Sequence, residues 1–123
     1  MLPYDDLLSD LNGLYEGERD PIANAANTPA AIWQHLPDIN WAGFYFLKGG
    51  ELVLGPFYGK LACVRIALGK GGVCGTAAAV PLIRKRRLIG VLDIDSPSLN
   101  RFADADRIGC EAVAAAYVAA LDA

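Results

Sequence analysis

Histidine is nearly absent from this 123-residue chain, which has only His35, and its three cysteines, Cys63, Cys74 and Cys110, include no CxxC pair. A structural zinc site needs four nitrogen or sulfur ligands, so no metal is expected. Three thiols form no even disulfide framework, and in a reducing compartment they read as core groups or redox-active ones. Basic residues are in deficit, eleven against fourteen acidic, for a net charge of −3. That balance argues against a nucleic-acid binder with a pervasive basic face. The longest apolar run, Ala112 to Leu121, is too short to span a bilayer. Met1-Leu2-Pro3-Tyr4-Asp5-Asp6 lacks the basic start and apolar stretch of a secretory leader. The expectation is a cytoplasmic protein with neither membrane nor nucleic acid as partner. The glycine-rich stretch Gly69 to Gly75 has neither the GK[ST] ending nor the GxGxxG spacing of a phosphate loop, which weakens a nucleotide reading.

What is present describes one globular domain: 54% apolar and 20% charged residues, in a length that hides about two-thirds of its unfolded surface. Tyr4, Leu7, Leu8, Leu11, Leu14 and Tyr15 recur at steps of three and four, predicting an amphipathic helix that ends near Gly17. A second helical stretch spans Arg19 to Leu36, with an interruption expected at Thr28-Pro29. His35 lies in its last turn and is given no function. From Asn40 the period becomes two, with Trp41, Gly43, Tyr45 and Leu47 on one strand face and Ala42, Phe44 and Phe46 on the other. Further strands are predicted at Leu52–Leu54, after a Lys48-Gly49-Gly50-Glu51 turn, and at Leu61–Leu68, Val80–Ile83 and Leu88–Asp95. Asp104 to Asp122 then reads as an Ala-rich helix able to pack on two neighbours. Helices, a run of strands and a closing helix predict an α+β fold with a mainly antiparallel sheet.

Three features carry chemistry. Gly43, flanked on its face by Trp41 and Tyr45, is either the floor of a small-ligand pocket or a place where another chain crosses an aromatic core. Asp93 and Asp95 project from one strand face. Such close like charges need a cation or protons, which a bound ammonium group would supply; the alternative is an ordinary Asp-Ser-Pro turn. Cys74 sits in Gly71-Gly72-Val73-Cys74-Gly75-Thr76 before Ala77-Ala78-Ala79, the composition of a loop feeding a helix N-terminus, where amides and dipole stabilise a thiolate. Cys63, read on a strand, is close enough along the chain for the two sulfurs to meet, or both thiols are buried and inert. Cys110 reads as core. The basic run Arg84 to Arg87 reads as a solvated hairpin turn.

At Asn40-Trp41-Ala42-Gly43-Phe44-Tyr45, Leu54-Gly55-Pro56-Phe57, Ala62-Cys63-Val64-Arg65-Ile66, Gly72-Val73-Cys74-Gly75-Thr76 and Gly90-Val91-Leu92-Asp93-Ile94-Asp95-Ser96, the chain resembles the free methionine-(R)-sulfoxide reductases, which are built on a GAF domain. The resemblance implies a central, mainly antiparallel sheet with N- and C-terminal helices packed on one face. It implies reduction of free L-methionine-(R)-S-oxide to L-methionine by cysteine thiols, with no cofactor and with thioredoxin as reductant. By position, Trp41 and Tyr45 resemble the aromatic walls around the sulfoxide methyl group. Asp93 and Asp95 resemble the carboxylates that bind the substrate. Cys63 resembles the main resolving cysteine, and Cys74 the other family cysteine beside the pocket.

The family's attacking cysteine has no counterpart here. It lies in a long segment that also holds a substrate-binding glutamate, between the GVCGTA turn and the VPL strand, whereas this chain passes directly from Ala79 to Val80. A helix begun at Gly75 would have to become a buried strand at Val80 with no connecting residues, while compact domains use about two to six. A loop segment is therefore expected to be missing between Ala79 and Val80. Two other readings stand beside the reductase: a non-catalytic GAF module that binds or senses a small ligand, and an interaction protein forming a homodimer through the Ala-rich helix.

Overall fold

Two helices open the chain in the computed structural model, which describes residues 3–67 and 77–122. Helix α1 covers Pro3–Tyr15 and α2 covers Pro21–His35. Asp20 caps α2, its carboxylate accepting from the amides of Ile22 and Ala23 at 2.8 and 3.1 Å, and Pro21 stands where no donor is needed. The interruption expected at Thr28-Pro29 does not occur, because α2 runs unbroken through Pro29. Side-chain bonds brace that turn. The Thr28 hydroxyl donates to the Asn24 carbonyl at 2.7 Å, which leaves its oxygen to accept from the Tyr15 hydroxyl of α1.

Five strands follow: β1 (Trp41–Lys48), β2 (Glu51–Gly59), β3 (Arg65–Ala67), β4 (Ala77–Arg84) and β5 (Arg87–Asp95), before the closing helix α3 (Asp104–Asp122). They form one antiparallel sheet in the order β3-β2-β1-β5-β4. The period of two divides its faces. Ala42 and Phe44 of β1, Val80 and Leu82 of β4, and Leu92 and Ile94 of β5 are buried together with Leu7, Leu11, Ile32, Val113 and Tyr117 of the helices. Each large side chain in such a core is worth about 1.5–3 kcal/mol in burial. The Tyr117 ring lies 4.6 Å from that of Phe44, and its hydroxyl donates to the Pro21 carbonyl at 2.9 Å, pinning α3 to the start of α2. Helices α2 and α3 cover the sheet and α1 packs on both of them. None of the described helices is long and apolar enough to cross a membrane.

The strand expectations need three corrections. Ala77–Ala79 belong to β4, not to a helix, and pair with Asp95, Ile94 and Asp93. Ala79 and Val80 are consecutive residues of that strand, so the abrupt helix-to-strand change expected there does not arise. Strand β2 extends to Gly59, well past Leu54, because a bulge in its pairing with β1 accommodates Gly55-Pro56. The strand expected over Leu61–Leu68 shrinks to Arg65–Ala67 within the described residues, leaving 60–64 as an irregular connection.

Candidate functional site

The sheet face away from the helices carries the side chains singled out above. Antiparallel pairing sets Trp41 opposite Asp95 and Gly43 opposite Asp93, and cross-strand partners share a face. Trp41, Tyr45, Asp93 and Asp95 thereby line one cavity of about 320 Å³, with Lys60, Leu61 and Ala62 of the 60–64 connection along another side. Two strands far apart in sequence meet at this point.

The aromatic walls also act as clamps. The Trp41 indole N–H donates to the Lys60 carbonyl at 3.0 Å, and the Tyr45 hydroxyl donates to the Cys63 carbonyl at 3.0 Å. Buried Trp and Tyr bodies need partners for their polar ends. Here those partners are main-chain atoms, so the connection is held over the cavity by the residues beneath it. Gly43 is not an open floor. A Cβ there would collide with Phe57 and lie 2.8 Å from Cη2 of Trp41, whose ring stacks on Phe57 at 5.3 Å between centroids. The glycine makes room for crossing aromatics, and the ligand space lies beside it.

Burial raises the titration of Asp93 to about 8, helped by the neighbouring Asp95 carboxyl, and burial also raises Asp95. A proton held between them is the relief available without a cation. The Tyr45 hydroxyl is likewise shifted upward, first by burial and then by Cys63 and the two aspartates. Because Asp93 binds its proton more tightly in the folded chain than in the unfolded one, its contribution is fully present at acid pH and fades as pH rises. Chemical denaturation of the ligand-free protein should show stability falling between about pH 4 and pH 8 and levelling above, with the slope reduced in D93N. An unchanged slope in D93N would detach the effect from this pair.

Cys63 is exposed, lies in the connection and not on a strand, and joins the site through its carbonyl alone. Cys74 lies outside the described residues. Cys110 is buried on α3, 3.8 Å from the Tyr4 hydroxyl, and burial pushes its thiol up to about 11. It is an inert core group remote from the cavity. His35 bonds Asp10 at 2.7 Å, joining α2 to α1. Arg84 of the basic turn pairs with Asp122 at the end of α3. Sequence reasoning missed Lys60 and its neighbours as cavity walls. The sole signal was that Trp41 and Tyr45 need hydrogen-bond acceptors, which does not say whose.

No protein-family model matches the chain. It is 45% identical over 134 residues to the free methionine-R-sulfoxide reductase of Escherichia coli, spanning 86% of this chain and 81% of that protein. Since 86% of this chain is about 106 residues, about 28 of those 134 positions have no counterpart in it. Among solved structures, the Staphylococcus aureus fRMsr in complex with substrate is 34% identical with a TM-score of 0.89, covering 96% of this chain and 95% of that one. A Burkholderia vietnamiensis protein assigned as a GAF sensor is 44% identical with a TM-score of 0.88, covering 95% and 86%.

Proposed function

Because the chain belongs to the free methionine-R-sulfoxide reductase family and has its GAF fold, we propose that its cavity binds free L-methionine-(R)-S-oxide for reduction to L-methionine. The observation that carries this reading is the convergence of Trp41, Tyr45, Asp93 and Asp95 on one cavity. Asp93 and Asp95 receive the substrate ammonium, the cation that a pair of close carboxylates calls for. Trp41 and Tyr45 hold the methyl end, where an apolar aromatic surface suits a small thioether-like group.

The chemistry follows the family's cysteine set. A thiolate attacks the sulfoxide sulfur, methionine leaves, and the attacking cysteine becomes a sulfenic acid. A second thiol condenses with it, giving a disulfide and water, and thioredoxin supplies the two electrons that restore both thiols. Cys63 takes the resolving role, its exposure suiting exchange with a protein reductant, and Cys74 is the auxiliary thiol. Cys110, buried and protonated, takes none. Such cycling needs a reducing compartment, in keeping with the cytoplasm.

The attacking cysteine is outside these 123 residues. The alignment with the E. coli protein leaves about 28 positions without a counterpart, and we place them at the Ala79–Val80 junction because the family resemblance implies a cysteine-bearing segment there. The 123-residue chain then binds substrate without turnover. The non-catalytic ligand-binding reading is favoured by one observation, that the exposed Cys63 side chain is not among the residues lining the cavity.

Methionine formation from free L-methionine-(R)-S-oxide with dithiothreitol separates the two. Chain verified by intact mass at 13.1 kDa should give no methionine, and chain carrying the E. coli segment at the junction should give it. In that extended chain, C63S should leave the first turnover intact and slow thioredoxin-coupled cycling at least about tenfold, because resolution alone is impaired. Binding without product from the extended chain would leave the sensor reading in place of the reductase.

A further inference from the structure

A free amino acid brings two charges into this cavity, and the acidic pair accounts for one. Asp93 and Asp95 attract the ammonium and repel the α-carboxylate, so a site selective for the free zwitterion needs a positive group at its other side. Among the described residues lining the cavity, Lys60 is the single cation, and it forms no ion pair with a described carboxylate. Its main chain is fixed twice over. The Trp41 indole donates to its carbonyl at 3.0 Å. Before it, Gly59 takes a φ of +136°, and a Cβ there would lie 2.8 Å from both the Asn40 carbonyl oxygen and Cδ1 of Trp41. The chain can pass so close to β1 only as glycine, and that passage sets Lys60 at the cavity's edge.

We propose that Lys60 is a specificity-determining residue that receives the α-carboxylate of the substrate, so that the site selects free methionine sulfoxide over forms whose carboxylate is blocked in an amide or peptide bond. The assignment rests on the amino-acid site described under Proposed function and adds its second pole. An ammonium–carboxylate contact is charge-assisted and monodentate, and at an exposed lysine it is partly screened by salt. It discriminates modestly and through charge more than shape.

The test is calorimetric titration of the 123-residue chain and its K60M and K60R variants with three probes: free L-methionine-(R)-S-oxide, its carboxamide and its N-acetyl derivative. Wild type should bind the free acid about tenfold more tightly than the carboxamide, a preference that weakens as salt is added. K60M should bring the acid to the carboxamide's level while moving carboxamide binding less than about twofold, and K60R should restore most of the preference. A lysine that merely supports the connection would weaken both ligands equally in K60M, and that result overturns the assignment. Acid and carboxamide binding alike in wild type, with the N-acetyl probe excluded, also overturns it while leaving the ammonium site standing. If the chain binds none of the three, the methionine-sulfoxide reading itself fails and Lys60 falls with it.

Discussion

Replacing Asp93 by asparagine is expected to weaken binding of free L-methionine-(R)-S-oxide about a hundredfold at neutral pH. Removing one partner of a buried, hydrogen-bonded charge pair costs about 2–5 kcal/mol, and a half-buried carboxylate beside a second acid falls toward the lower end. Asparagine keeps the shape and removes the charge, so packing around Trp41 and Tyr45 is left alone. The ligand's ammonium has to displace the proton that burial and Asp95 hold on Asp93. Wild-type affinity should therefore rise with pH toward about 8, and D93N should lose that dependence. The same variant should stabilise the ligand-free protein near pH 8, because it removes a carboxylate whose ionisation there is unfavourable. Calorimetry with the free amino acid reads the first effect and denaturation reads the second. Binding by D93N within about twofold of wild type would take the ammonium away from this pair.

Gly90→Ala is expected to destabilise the fold by about 3 kcal/mol or more, read as a fall of roughly 10 °C in Tm. Gly90 lies on β5 opposite Phe46 of β1. A Cβ there would collide with the Tyr45 carbonyl oxygen and sit 3.0 Å from the Phe46 Cα, so both obstacles are main-chain atoms that no rotamer change can move. The strands would have to part where their pairing also sets Asp93 opposite Gly43. Ligand binding should therefore fall with stability. Gly13→Ala is the control: nothing lies within 4 Å of its added Cβ, in the last turn of α1, where alanine should stabilise by up to about 0.5–1 kcal/mol. A G90A protein melting with wild type would refute the close-approach argument.

The alternation from Trp41 to Leu47 placed both faces of β1, and it put the two aspartates on the face opposite Leu92 and Ile94, because a period of two belongs to the extended backbone itself. The Ala-rich α3 and the extent of α2 were legible for similar local reasons, but the Asp20 cap and the unbroken passage of α2 through Pro29 were not. Ala77–Ala79 misled, since alanine is the best helix former, yet these residues pair along β5 and tertiary context overrides a preference of less than about 1 kcal/mol per residue. The strand predicted at Leu52–Leu54 was too short, because Gly55 and Pro56 of β2 stand together opposite Phe44 at the bulge, where a missing N–H is tolerated. The 60–64 connection was illegible for a different reason. Its course is set by side chains donating to main-chain carbonyls, and every residue has a carbonyl.

The chain's two tryptophans bracket a single stretch of the protein. Trp33 of α2 packs on Tyr58 with ring centroids 4.5 Å apart, and Trp41 stacks on Phe57 while holding the carbonyl of Lys60. Intrinsic fluorescence of this protein is consequently a local optical gauge of residues 57–60. Quenching or a spectral shift on adding a ligand reports direct contact with Trp41, a wall of the cavity, or displacement of that stretch, whereas events at the Arg84–Arg87 turn at the other end of the sheet leave the emission silent.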